Sequence, residues 1–320
     1  MIGEYEKGRG AQINTKNKFL GQEFVREHVE GIDESSSPNS KRQIIIEHPQ
    51  KIISKNTSPD IPFNYSINPY QGCEHGCVYC YARNVHTYWG YSAGMDWETK
   101  IIAKPNAAKL LEKEFLKKSY LPETIILSGN TDPYQPIERQ LKITRSLLEV
   151  FVRYRHPVSI ITKSSLIARD IDLLSVLAKN NLVRVTFSIT TLQESLRRIL
   201  EPRSANATKM LDAMQKLSGA GVRVGVMTAP ILPSINDQEI GEILRVAAEN
   251  GATSAGYTLA RFNGDVAEIF ADWLTKNFPD RATKVWEKVK SFHGGNVNDS
   301  RFGRENAWRR PVCCAFQNNV

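Results

Sequence analysis

Three cysteines stand within eight residues, Cys73, Cys77 and Cys80, in the run Asn68-Pro-Tyr-Gln-Gly-Cys-Glu-His-Gly-Cys-Val-Tyr-Cys-Tyr-Ala-Arg83. Thiolates are soft ligands suited to zinc or to iron–sulfur clusters. The remaining two cysteines, Cys313 and Cys314, lie near the chain's end, so the total of five is odd. An odd count behind an N-terminus with no apolar export segment argues against a disulfide framework and for metal or redox chemistry. Structural zinc asks for four ligands. His75 is the fourth at hand, but it sits between two cysteines on a short loop and is poorly placed to share their metal. A [4Fe–4S] cluster on three thiolates instead leaves one iron open to a small ligand. On the residues alone both readings stand.

Other chemistry is scarce. There is no G-x-x-x-x-G-K-[ST] phosphate loop and no H-E-x-x-H, and the six histidines show no ligand spacing. Gly219-x-Gly221-x-x-x-Gly225 precedes a strand candidate where a dinucleotide fingerprint would follow one, so it reads as a helix end. Asp132, Glu138 and Glu201 fall in loops and read as solvated carboxylates.

The elements that position the cysteines begin near residue 61. Six short apolar or β-branched runs read as strands: Phe63–Asn68, Thr124–Ser128, Val158–Thr162, Val183–Ser188, Arg223–Thr228 and Ser254–Leu259. Helix-period segments alternate with them over Pro105–Lys118, Glu138–Arg153, Asp170–Lys179, Ala207–Leu217, Asp237–Asn250 and Val266–Asn277. Repeated βα units require a parallel α/β sheet, open or curled into a barrel, with ligands at the C-terminal ends of the strands. Residues 1–60 are polar and turn-rich, with one short helix expected around Gln22–Glu30. They read as an irregular extension that the chemistry can do without, at least over residues 1–40.

Composition bounds the rest. At 320 residues, 41% hydrophobic and 24% charged, the chain is an ordinary globular protein rather than a disordered one. No apolar run approaches the ~18 residues of a membrane span, so a cytoplasmic protein with no membrane partner is expected. Lys and Arg number 42 against 34 Asp and Glu, a net charge of +8. Residues 281–320 hold eight basic and three acidic residues, a basic C-terminal extension that fits a polyanion partner. Trp286, Phe292 and Trp308 lie among those charges, and packing is the expected role for such aromatics before base stacking.

C-x3-C-x2-C at the end of the first strand of a βα chain resembles the radical S-adenosylmethionine (SAM) superfamily. Further runs narrow the resemblance: LSGNTDPYQPIER, ITKSS, FSITT followed by EPRSA, and VGVMTAPILPSIND. Together with the N-terminal GRGAQ and the C-terminal NVNDSRFG, they look like the branch containing spore photoproduct lyase and the bacterial proteins grouped beside it. The likeness covers roughly residues 60–305.

What the resemblance implies is specific. The fold is a partial (β/α)6 barrel, with a core domain over 61–280. The cofactors are a [4Fe–4S] cluster on Cys73, Cys77 and Cys80 and SAM on its open iron. Reductive cleavage of SAM gives a 5′-deoxyadenosyl radical. Tyr79 takes the position that meets the adenine, and Thr131, Lys163 and Ser188 match SAM-contacting positions at the ends of strands two, three and four. Tyr81 matches a tyrosine of the radical relay, and Gly129 falls where spore photoproduct lyases carry a hydrogen-donating thiol. The partners implied are an electron donor such as flavodoxin or ferredoxin and, in the manner of DNA repair, a nucleic-acid substrate. The competing reading is a zinc- or cluster-stabilised nucleic-acid-binding protein without catalysis.

Overall fold

In the computed structural model, residues 5–17, 19, 42–58 and 63–298 are described. Among the described residues, ten strands form two sheets. They are β1 (Gln43–Ile46), β2 (Ile53–Lys55), β3 (Tyr65–Ile67), β4 (Tyr70–Gln71), β5 (Lys100–Ala103), β6 (Ile125–Leu127), β7 (Val158–Thr162), β8 (Val183–Ser188), β9 (Arg223–Ile231) and β10 (Ala252–Leu259). The main sheet has the order β10-β9-β8-β7-β6-β3-β2, parallel throughout except for β2 against β3. Its six parallel strands are the six expected ones, and the sheet stays open between β2 and β10 as a partial barrel does. Helices cross back over one face, and residues such as Ile125, Leu147, Phe151, Ile160, Val185 and Phe187 make the core beneath them.

One helix expectation is corrected in detail. The segment Glu138–Arg153 is two helices, Glu138–Leu141 and Ile143–Arg153, because Lys142 takes φ 52° between them. Glu138 explains the break. Its carboxylate turns back and accepts from the N–H groups of Thr144 (3.0 Å) and Arg145 (3.3 Å), donors that open the second helix without intrahelical partners. Glu138 is fully buried and also receives Tyr70 Oη and Arg169 Nη2. It is a structural group, not the solvated carboxylate expected.

The two ends of the chain depart further from expectation. Within the supposed irregular extension, β1 pairs in parallel with β5 and β2 closes an edge of the main sheet. At the other end, the first stretch of the basic extension is a helix, Ala282–Phe292, with Val285 and Val289 buried. Trp286 stacks on Phe262 (5.4 Å) and Phe270 (5.9 Å), so packing is its role. The helix expected at Gln22–Glu30, Trp308, Cys313 and Cys314 lie outside the described residues.

Candidate active site

The cysteine loop leaves β4 at the C-terminal end of the parallel sheet. Gly72 holds φ +77°, and a Cβ there would stand 2.7 Å from the Lys100 carbonyl, so only glycine passes under β5. Cys73 N–H donates to the Trp97 carbonyl (2.9 Å) and Cys80 N–H to the Cys77 carbonyl (3.3 Å). Cys73 and Cys77 are buried, Cys80 is half-buried, and all three are free thiols.

These thiols crowd one another. Burial pushes Cys77 well up, with Glu201, Cys80 and Cys73 adding to it, and burial with Cys73 pushes Cys80 up to about 11. A strongly cationic group would be needed to draw Cys77 and Cys80 to thiolates, with release of their protons. His75 does not complete a zinc set: it is buried, and its Nδ1 faces Asp132 Oδ2 at 3.4 Å. Burial lowers the His75 pKa, but Asp132 and then Cys73 overcome that and raise it, so the imidazolium is the form held. Among the described residues no three His, Cys, Asp or Glu side chains converge as ligands of one ion. A cubane takes one thiolate on each of three irons and asks for less convergence. The donor set fits a [4Fe–4S] cluster.

Lys163 closes β7 and reaches across the strand ends. Its Nζ donates to Thr190 Oγ1 (2.8 Å), Ser188 Oγ (3.0 Å) and Glu201 Oε1 (3.0 Å), and lies 5.6 Å from the centre of the Tyr79 ring. Tyr79 Oη donates to Glu201 and lies 3.2 Å from Thr190 Oγ1. Glu201 is 1% exposed. Burial raises its pKa, yet Lys163, Thr190 and Tyr79 together hold it below the usual carboxylate range. Asp132, half-buried, accepts from Thr162 Oγ1 (2.7 Å) and Lys163 N–H (2.6 Å) and thereby sets where Lys163 starts. Tyr79, Lys163 and Ser188 are thus brought together, and Thr190, Glu201 and Asp132 join them. The last two were visible as residues of EPRSA and NTDPY, but loop carboxylates carry no burial signal in sequence.

Thr131 and Tyr81 stand differently. Thr131 is buried, and its hydroxyl donates to the Tyr70 carbonyl (2.9 Å), fixing the loop after β6 onto β4. Tyr81 is exposed, and its phenol donates to the Gly129 carbonyl, spanning from the cysteine loop to the end of β6. A cavity of about 790 Å³ opens elsewhere, at the N-terminal strand ends around Glu123, Pro157, Asn181 and Arg223, and contains none of these residues.

The lead-in is built into this site from below. Gly10 and Ala11 donate their N–H groups to the Glu98 carboxylate (3.1 and 2.8 Å), and Glu98 pairs with Arg83 Nη2 at 2.5 Å. Both charged groups are fully buried. Thr15 Oγ1 then reaches Asp265 Oδ2 (2.9 Å) on the helix Asp265–Asn277. The expectation that the chemistry can do without residues 1–40 did not foresee these contacts.

Comparison with known proteins agrees with the geometry. The chain is 31% identical over 229 residues to an uncharacterised protein of Mycobacterium tuberculosis, covering 71% of this chain and 67% of that one. It is 30% identical over 242 residues to an uncharacterised protein of Methanocaldococcus jannaschii, covering 76% and 86%. A phage M6 protein of Pseudomonas, named radical SAM Nalpha-GlyT isomerase, is 25% identical and covers 65% of this chain and 45% of its own length. Among solved structures, spore photoproduct lyase complexed with dinucleoside spore photoproduct has a similar fold, with TM-score 0.56 and 18% identity over 79% of this chain and 72% of that one. The family model described as the radical SAM superfamily matches residues 67–247, more than half of the chain, with the three clustered cysteines, Lys163, Ser188 and Glu201 inside the match, and the protein belongs to that superfamily.

Proposed function

We propose that Cys73, Cys77 and Cys80 hold the [4Fe–4S] cluster of this radical SAM enzyme, and that Tyr79, Lys163 and Ser188, with Thr190 and Glu201, bind SAM beside it. One observation carries this: Tyr79, on the cysteine loop itself, shares a single hydrogen-bonded group with Lys163 and Glu201 at the strand ends. Bound there, the cluster supplies the electron that cleaves SAM. The protein's part is to position the two and exclude water. The electron comes from a flavodoxin- or ferredoxin-like donor. A zinc-stabilised, non-catalytic protein does not suit the superfamily match or the occupied His75.

The substrate class we infer is nucleic acid, with a chemistry other than spore photoproduct repair. The fold likeness to a lyase solved with a dinucleoside and the +8 charge support the class. Gly129 argues against the repair reaction, since glycine has no side-chain hydrogen to return. The hydrogen bond from the Tyr81 phenol to that glycine's carbonyl supports Tyr81 as the carrier of the radical instead. The test is anaerobic incubation with SAM, dithionite and either DNA, RNA or spore photoproduct dinucleotide. Nucleic acid should stimulate 5′-deoxyadenosine formation while the dinucleotide returns no thymine. Lack of stimulation by either polymer rejects the class; thymine recovery at lyase rates rejects the distinction.

A further inference from the structure

The N-terminal segment touches the cysteine loop more closely than any packing need explains. A Cβ on Gly10 would lie 1.7 Å from the Gly76 carbonyl oxygen and 3.2 Å from the Val78 nitrogen, both backbone atoms that cannot swing aside. A second crossing has the same character: a Cβ on Gly94 would lie 1.9 Å from the Ile13 carbonyl oxygen. Between the two crossings sits Arg83. Its five donors are all spent, on the carbonyls of Gly76 (3.2 Å), Cys77 (2.9 Å), Ala93 (3.1 Å) and Gly94 (2.9 Å) and on Glu98.

Glu98 is the link between segment and loop. Its carboxylate neutralises Arg83 and in turn takes the two N–H groups of Gly10 and Ala11. Stripped of those two donors the buried carboxylate would be under-satisfied, which is unfavourable, and nothing of the segment would fix its position against the guanidinium. Arg83 also holds the loop directly, its main-chain N–H on the Cys80 carbonyl (3.2 Å) and its Nε on the Cys77 carbonyl (2.9 Å), so anything that moves it moves the cysteine loop.

We propose that Gly8–Asn17 is a strap that fixes the cysteine loop from below, with Gly10, Glu98 and Arg83 as positioning residues for the cluster. This rests on the cluster reading for its redox consequence, but the strap itself can be read in protein without metal. Outer partners of metal ligands typically affect metal affinity by about 10–100-fold, and a loss of that order is expected in Gly10→Ala. Gly241→Ala, where an added Cβ meets nothing, is the control.

Two readouts decide it. In the apoprotein, amide exchange across Glu74–Tyr79 should quicken in Gly10→Ala and not in the control. After anaerobic reconstitution, Gly10→Ala should bind iron more weakly and show a shifted cluster potential. Should Gly10→Ala fail to fold, the isosteric Glu98→Gln is measured in the same two ways with the same expectation. Wild-type exchange, iron affinity and potential in the folded variant would overturn the strap. Wild-type protein that takes up no iron would defeat the cluster reading instead, and the exchange data would still judge the strap.

Discussion

Two buried ion pairs flank the cysteine loop, and they are built from different partners. Arg83 and Glu98 are both fully buried, and apart from each other they bind main chain alone: four carbonyls on one side, two N–H groups on the other. Lys163 and Glu201 keep 14% and 1% exposure, and their nearest contacts are side chains, Ser188, Thr190, Tyr79 and Ser204. Main-chain partners lock the path of a loop. Side-chain hydroxyls and a lysine can trade one another for the amino, carboxylate and ribose groups of a ligand at small cost, because each lost bond is replaced. The first pair therefore suits a fixed support, and the second suits the ligand exchange proposed for it.

The largest effect should come from the loop itself. Cys77→Ala leaves two thiolates, and reconstitution should yield no stable cluster and no SAM cleavage; iron and sulfide analysis checks it. Next, Arg83→Met removes the counter-charge of fully buried Glu98 and leaves four main-chain carbonyls without their donor, and should cost about 3–5 kcal/mol of stability, read from thermal or urea melts. Lys163→Ala sharpens the contrast. Glu201 keeps Tyr79 and Ser204 as donors, so the melt should shift by only about 1–2 kcal/mol. Its SAM affinity should fall by about 1.5–3 kcal/mol, roughly 10–150-fold, for a lost charge-assisted bond. Equal melting losses in these two variants would break the comparison. The smallest change is Tyr81→Phe, which removes one bond at an exposed ring and should leave stability within about 1 kcal/mol and SAM affinity within about twofold.

The sequence showed the exchanging half and hid the holding half. Val158–Thr162 and Val183–Ser188 are short strands with a buried apolar residue at every other position and legible ends, so Lys163 and Ser188 could be placed at the mouth. Glu98 is invisible by the same logic: it follows Trp97 in a five-residue helix, Met95–Thr99, too short to carry a period. Its partners lie 87 and 88 residues away in a glycine-rich stretch whose composition reads as loop. Backbone donors leave no trace in residue types. The helix Ala282–Phe292 was missed for another reason, since its charges masked Val285, Trp286 and Val289 on one buried stripe.

The central claim is that an iron left open by Cys73, Cys77 and Cys80 meets SAM held by the Lys163 group. Electron paramagnetic resonance of the dithionite-reduced, reconstituted protein tests it directly, with and without SAM. The reduced cluster signal should change when SAM is added to the wild type, need much more SAM in Lys163→Ala, and be followed by 5′-deoxyadenosine. A signal indifferent to SAM, with no 5′-deoxyadenosine formed, would contradict the account.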